Sequence, residues 1–285
     1  YMITKRGPKP KYGNCSNCNK EDFLARKIYC KACYFKLLKN GKLERLPKKK
    51  LPDSLNNVQE EVLVGSLLGD GSLFKYKPKH KPYFAVHRAF KDKKYAEWQS
   101  DVFSNLICRN EDGSTVDNRT NKAYFWTKFI THRTSLFESY YQDWYPEGVK
   151  VVPENVVLSP LSIAVWIADD GYVRSVGKSP YRLQIKLSTH GFDVNSVEIL
   201  CNLLCKRYDE YFGITLENKK SPIIYASDNA TRELLKEIDD CFPESMSRKA
   251  YWRTPQACFY ENIPKRSPYK KNNRKTKNGI RNKKK

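Results

Sequence analysis

No stretch of the chain is apolar for anything near the ~20 residues that cross a bilayer, and the basic start leads into no signal-peptide core. Neither a membrane span nor a secreted precursor is expected, and the sequence reads as belonging to a reducing compartment, cytoplasm or organelle matrix. Histidine is scarce. His80, His87, His132 and His190 are the only four, and their scatter matches no metal-ligand spacing. A G-x-S-x-G elbow, a Walker loop and a dinucleotide fingerprint are all missing, which removes the commonest acyl-transfer, nucleotide-hydrolysing and hydride-transfer classes. Acidic residues are absent from residues 263–285, which hold 11 Lys/Arg and no Asp/Glu.

That last absence locates the charge. The chain has 285 residues and a formal net charge of +22. Residues 1–52 carry 15 Lys/Arg against 3 Asp/Glu, and residues 53–262 carry 27 against 28. Two basic ends flank a neutral body. Such ends suit a polyanion, and neither has the apolar helix face that a membrane surface would require. The tail at 263–285 and residues 1–11 are expected to be unfolded when free. With 40% hydrophobic residues, the chain can bury a core and has room for two domains.

Four of the nine cysteines form two pairs, Cys15-x-x-Cys18 and Cys30-x-x-Cys33. Paired C-x-x-C dipeptides close two chelate rings, and four thiolates satisfy tetrahedral Zn²⁺. Disulfides and a redox pair are the alternatives, and nothing in the chain suggests secretion or a thioredoxin-like unit. A segment this small builds little core of its own, so a structural metal would supply most of its stability. Lys31, Lys36, Lys39 and Lys42 fall on the expected helix after the second pair and form a phosphate-gripping surface.

Two further stretches resemble one another. Leu63 to Gly71 and Ile163 to Gly171 are short apolar runs that end in an aspartate and then a glycine, Asp70-Gly71 and Asp170-Gly171. Asn57 with Glu60 reads as a capping box before the first, and Ser159-Pro160 as an N-cap with an N1 proline before the second. Small residues recur four apart, Gly65 and Gly69 in one and Ala164 and Ala168 in the other. They share a helix face and predict a close helix–helix interface. The glycine after each aspartate suits a left-handed C′ position. A carboxylate would then lie at the negative end of each helix, disfavoured by roughly 0.3–1 kcal/mol, and the two would repel each other across the interface. A divalent cation relieves both problems.

The surroundings of these runs repeat as well. Residues 53–156 and 157–262 each read helix, two strands, helix, two strands, helix. The aspartates lie 100 residues apart (170 − 70) and Lys150 and Lys249 lie 99 apart (249 − 150). In the first copy, Lys93–Ile107 is helical by period and Tyr124–Ile130 is a strand. In the second, Tyr181–Ser188 alternates Leu183, Ile185 and Leu187 with Arg182, Gln184, Lys186 and Ser188. Basic and polar residues concentrate on strands and their turns: Lys75, Lys77, Lys79, Lys81, His87 and Arg88 in the first copy, and the Arg182-to-Ser188 set in the second. Acidic residues concentrate on helices. A sheet face of this composition reads phosphates and base edges, and a twisted antiparallel ribbon fits the DNA major groove.

The two runs resemble the signature of the LAGLIDADG homing endonucleases, in the monomeric form that carries two copies. Trp166 to Gly171 is the closest stretch. Trp144 to Pro153, Leu158 to Ser162, Leu187 to Phe192, Pro222 to Tyr225 and Met246 to Lys249 resemble other blocks of the family, so the likeness covers about residues 55–260. It implies an α+β fold of two αββαββα repeats (53–156 and 157–262) in a pseudo-twofold saddle, here with an N-terminal zinc module and linker (1–52) and a basic tail (263–285). It also implies a monomeric, site-specific endonuclease acting on double-stranded DNA. Asp70 and Asp170 would hold Mg²⁺ and Lys150 and Lys249 would serve as basic catalytic residues. Asp169 would lie behind the metal, without a counterpart in the first copy, where Gly69 stands. An RNA maturase acting on intron RNA and a non-catalytic DNA-binding regulator are the alternatives on the same fold.

Overall fold

The computed structural model describes residues 11–25, 28–43, 50–176, 182–217 and 221–254. Of the basic tails expected at 1–11 and 263–285, residues 1–10 and 263–285 lie outside the described residues, and Lys11 instead opens a strand. Among those described, no helix is long and apolar enough to cross a membrane.

The N-terminal segment is a three-stranded antiparallel sheet, β1 (Lys11–Asn14), β2 (Glu21–Ala25) and β3 (Tyr29–Cys30), followed by helix α1 (Lys31–Lys39). Its core is small: Cys15, Leu24, Cys30 and Cys33, with Tyr29 packed against them.

The first large unit runs α2 (Asn57–Leu68), β4 (Gly71–Phe74), β5 (Tyr83–Ala89), α3 (Lys93–Val102), β6 (Ile107–Asp117), β7 (Lys122–Thr131) and α4 (Glu138–Trp144). The second runs α5 (Pro160–Asp170), β8 (Gly171–Ser175), β9 (Leu183–Ser188), α6 (Val194–Tyr208), β10 (Phe212–Glu217), β11 (Ser221–Ala226) and α7 (Asp228–Ile238). Their sheets are ordered β4-β5-β7-β6 and β8-β9-β11-β10. In both, the first strand pairs with the second, the second with the fourth and the fourth with the third. The register repeats too: Gly71 lies opposite Val86, and Gly171 opposite Leu187. The chain is therefore an α+β protein of two αββαββα repeats.

Helices α2 and α5 form the seam, and the glycines decide how near they come. A Cβ on Gly65 would lie 2.4 Å from the Ser162 carbonyl oxygen and 2.7 Å from Val165 Cβ, and one on Gly69 would lie 2.3 Å from Asp169 Cβ. With a repeat of 100 residues, 65 meets 165 and 69 meets 169, so each position faces its own counterpart across the pseudo-twofold. The interface stripe on α5 is Ser162, Val165 and Asp169. Ala164 and Ala168 are fully buried but do not supply the atoms nearest the two glycines.

Three local expectations are corrected. The capping box of α2 sits one residue earlier, with the Asn56 side chain accepting from Gln59 N at 2.9 Å and Gln59 Oε1 accepting from Asn56 N at 3.2 Å. Ser159 caps α5 as expected, accepting from Ser162 N at 3.1 Å, with Pro160 at the first position. Neither Gly71 nor Gly171 is left-handed; both open a strand, Gly171 with φ −84° and ψ 151°. A Cβ on Gly71 would lie 2.8 Å from Ser66 Cβ, and one on Gly171 2.7 Å from Ile167 Cα, so these glycines admit the strand against the preceding helix. Lastly, α3 ends at Val102, and Leu106 N turns back to the Phe103 carbonyl at 2.7 Å. The apolar period running on to Leu106 misleads because that side chain stays in the core after the helix has closed.

Candidate active site and metal centre

Asp70 follows the end of α2 and Asp170 is the last residue of α5. The two are near enough that Asp70 helps to raise the carboxyl of Asp170. Burial is the larger cause, and together with Asp70 and Asp169 it lifts Asp170 to about 6. Among the described residues the Asp170 carboxylate has no hydrogen-bond or ion-pair partner, so its oxygens are open to a ligand. Asp70 is 45% exposed at its side chain. Carboxylate oxygens are the donors Mg²⁺ prefers, and a half-buried carboxylate raised by its neighbours is one a cation would stabilise. The residues therefore fit a divalent ion.

Beside the pair lies a buried network. Arg88 Nη1 donates to Asp70 Oδ2 at 2.7 Å, its Nη2 to Asp169 Oδ1 at 2.7 Å, and its Nε to Gln99 Oε1 at 3.0 Å. The guanidinium rests on the Tyr95 ring at 4.4 Å. Asp169 also accepts from Tyr95 OH at 3.0 Å and from the Asp70 backbone N–H at 3.1 Å. Burial pushes the Asp169 carboxyl above its ordinary range even with Arg88 against it. Asp169, expected behind the metal, is buried against Asp70 and Arg88, and it lacks a counterpart in the first copy because its side chain fills the space that Gly69 leaves.

Lys150 follows α4, and Lys249 ends a 3₁₀ segment, Glu244–Lys249. Lys150 Nζ donates to the Gly69 carbonyl at 3.3 Å and the Gly71 carbonyl at 2.9 Å, straddling Asp70. Lys249 Nζ donates to the carbonyl of Asp169, beside Asp170. Burial lowers both ammonium groups, Lys150 to about 8, and the nearby aspartates oppose that shift. The structure thus brings Asp70, Asp170, Lys150 and Lys249 together.

The strand residues expected to touch DNA divide. Lys77, Lys79, Lys81 and Arg182 are exposed, while Gln184, Lys186 and Ser188 are half-exposed on the side of β9 opposite Leu183, Ile185 and Leu187. His87 is exposed, packs edge-on to Trp126 at 5.0 Å, and lies opposite Lys128. Partial burial and then Lys128 hold His87 below its ordinary pKa. Lys75 is withdrawn into an ion pair with Glu138 under the Tyr141 ring. Arg88 is the correction: at 6% exposure it is inside. Phe84, Val86 and Arg88 share the helix-facing side of β5, and His87 the open side. A period of two cannot expose both His87 and Arg88, and this alternation was available in the sequence. Sequence reasoning also left out Lys128, Arg174 and the β6–β7 hairpin, where Tyr124 and Phe125 are 55% and 64% exposed.

In the N-terminal segment the four sulfurs of Cys15, Cys18, Cys30 and Cys33 lie within 4.8 Å of one another, and all four cysteines are free thiols. Cys18 Sγ and Cys30 Sγ are 3.8 Å apart, close to the edge of a tetrahedron of sulfurs about 2.3 Å from a zinc ion. Asn17 Nδ2 donates to Cys33 Sγ at 3.2 Å, as partners outside a metal's ligand set commonly do. The cluster can bind a metal ion and fits structural zinc.

A family model described as "LAGLIDADG DNA endonuclease family" matches residues 60–234. Among curated relatives, "Probable intron-encoded endonuclease 1" of Wickerhamomyces canadensis is 31% identical over 187 residues, 62% of this chain and 77% of the relative. "Cytochrome b mRNA maturase bI2" of Debaryomyces hansenii is 30% identical over 154 residues, 52% of this chain and 56% of the relative. The chain therefore spans little more than half of that maturase. A solved structure described as "The homing endonuclease I-WcaI bound to its DNA recognition sequence" superposes with a TM-score of 0.64 at 22% identity, covering 75% of this chain and 97% of the other. At that identity the superposition speaks for the fold alone.

Proposed function

The chain belongs to the LAGLIDADG DNA endonuclease family, and from that membership we propose that Asp70 and Asp170 are its catalytic pair in Mg²⁺-dependent cleavage of both strands of a duplex. As a member of that family it is a site-specific DNA endonuclease. The observation that carries the finer reading is the pairing of each lysine with one motif. Lys150 is fastened to the backbone on both sides of Asp70, and Lys249 to the backbone beside Asp170.

Asp70 and Asp170 would hold the ion, with Asp169 behind them. Once bound, Mg²⁺ polarises a phosphate oxygen and lowers the pKa of an attacking water. The chain's own residues do the rest. Arg88 fixes the Asp70 carboxylate in one orientation and offsets the Asp169 charge, while Lys249 and then Lys150 favour the charged form of Asp170. Lys150 and Lys249 place positive charge where a phosphate would gain negative charge in the transition state, and their carbonyl anchors keep them from swinging into solvent. The open sheet faces carrying His87, Gln184 and Lys186 would hold the duplex as a monomer's two half-sites.

Asp70→Asn and Asp170→Asn test this reading. Each keeps the shape and removes the charge that holds the ion. With Mg²⁺ supplied, each should bind the duplex like wild type and cleave it slower by orders of magnitude. Strand-resolved gels would show whether the remaining nick falls on opposite strands in the two variants. Near-wild-type double-strand cleavage by either variant would overturn the pair.

The second reading, an RNA maturase on the same fold, is favoured by the similarity to curated maturases. Binding of duplex DNA and of intron RNA, measured side by side, separates the two activities, and both can reside in one chain.

A further inference from the structure

The N-terminal segment is built inside out. Its buried core is three cysteines and one leucine, Cys15, Cys30, Cys33 and Leu24, while Tyr12, Phe23, Ile28 and Phe35 are 56%, 58%, 45% and 58% exposed. With a metal holding the fold, the large apolar side chains are free for another use. Two arrangements stand out. Tyr12 and Phe23 are direct cross-strand partners on β1 and β2, with rings 5.2 Å apart at 75°, on the face of β2 opposite Leu24. On α1, Lys31, Phe35 and Lys39 follow one another at four-residue spacing, all exposed, and form one stripe with Lys36 beside it. The segment from 11 to 43 holds 8 Lys/Arg against 2 Asp/Glu.

Large exposed apolar patches mark interaction sites, and this charge selects a polyanion. Duplex DNA satisfies the lysines but keeps its base faces stacked away from the rings. An unpaired strand satisfies both, since phosphates reach lysines and base faces stack on aromatics. We propose that the N-terminal zinc-binding module is a second nucleic-acid site, separate from the sheets of the two repeats, that takes an unpaired strand with its bases on Phe35 and its phosphates on Lys31, Lys36 and Lys39, the Tyr12–Phe23 pair offering a second stacking platform on the outer face of the sheet. The site does not depend on the catalytic reading of Asp70 and Asp170.

The test uses the full chain without Mg²⁺ and three fluorescent probes: oligothymidine, oligouridine and a mixed-sequence duplex. Phe35→Ala and the double variant Tyr12→Ala/Phe23→Ala remove exposed rings, so zinc content should stay at one per chain. Each should weaken binding of one or both single strands about tenfold, the loss expected of a stacking ring, and leave duplex affinity within about twofold. Loss confined to oligouridine would assign the site to RNA rather than single-stranded DNA. Lys31→Gln/Lys39→Gln should flatten the log–log salt dependence of single-strand binding by about 1.4, from about 0.7 per phosphate contact. Equal losses on single strand and duplex, or no loss on either single strand, would overturn the proposal.

Discussion

Arg88 bridges Asp70 and Asp169, one guanidinium nitrogen 2.7 Å from each carboxylate. The bridge joins the two repeats, since Asp70 belongs to the first and Asp169 to the second. Arg88 is 3% exposed and Asp169 0% at the side chain, so removing one charge strands the other away from water. Arg88→Gln should therefore cost about 3–5 kcal/mol in urea unfolding, and adding Asp169→Asn should recover part of that loss. A single variant within about 1 kcal/mol of wild type would mean that water already reaches the pair.

Lys150 gives a prediction in pH. Its ammonium, lowered by burial to about 8, loses its proton far earlier than an exposed lysine. If its charge is what cleavage uses, kcat/KM should fall as pH rises through about 8. Lys150→Arg keeps a charge that no accessible pH removes, so its profile should stay flat through pH 9 even at a lower plateau. An alkaline fall unchanged in that variant would assign the titration to another group.

Asp170 gives the converse. Its carboxyl titrates near 6 in the folded chain against about 3.9 in the unfolded one. The folded state holds the proton more tightly, so stability falls as pH rises from about 4 to 6 and the charged form is a burden above that. Asp170→Asn should raise Tm at pH 7.5 without Mg²⁺, by a stabilisation on the order of 1–2 kcal/mol after screening at its exposed portion. The gain should vanish below pH 4. Mg²⁺ should stabilise wild type and not the variant.

Metal removal should act locally. Cys15→Ser, or a chelator, should release one zinc per chain and abolish amide protection in residues 11–43. Protection in the two repeats should be unchanged, because the small Cys15–Leu24–Cys30–Cys33 core is a separate cluster from theirs. Stoichiometric disulfides in freshly prepared reduced protein would contradict the assignment.

Much of this architecture was legible in the sequence because it rests on period and spacing. The 100-residue repeat gave two like units, the paired C-x-x-C dipeptides gave the cysteine cluster, and the alternation in β9 gave its buried and open faces. What was lost has physical causes. Strand β6 carries Arg109, Asn110, Glu111 and Asp112 in succession, an edge strand exposed on both sides that shows no apolar alternation. The capping box slipped by one residue because Asn56-Asn57 and Gln59-Glu60 offer two registers of the same chemistry. A charge on a strand is usually solvated, so its residue type alone puts Arg88 outside. Only three dimensions show that two aspartates, one 81 residues further along the chain, wait for it inside.

The glycine seam makes the two halves of the chain non-interchangeable. At positions 65 and 69 the first repeat offers hollows, and at 165 and 169 the second offers the side chains that occupy them. Two first repeats brought together about the same axis would leave an empty channel between their helices. Two second repeats would drive valine into valine and one buried carboxylate into another, with a single Arg88 counterpart missing from each. Expressed as separate polypeptides, the halves should therefore assemble as unlike pairs and reject like ones. The two halves of the chain are complementary rather than alike, and any redesign that exchanges one half must carry both the hollow and its filler.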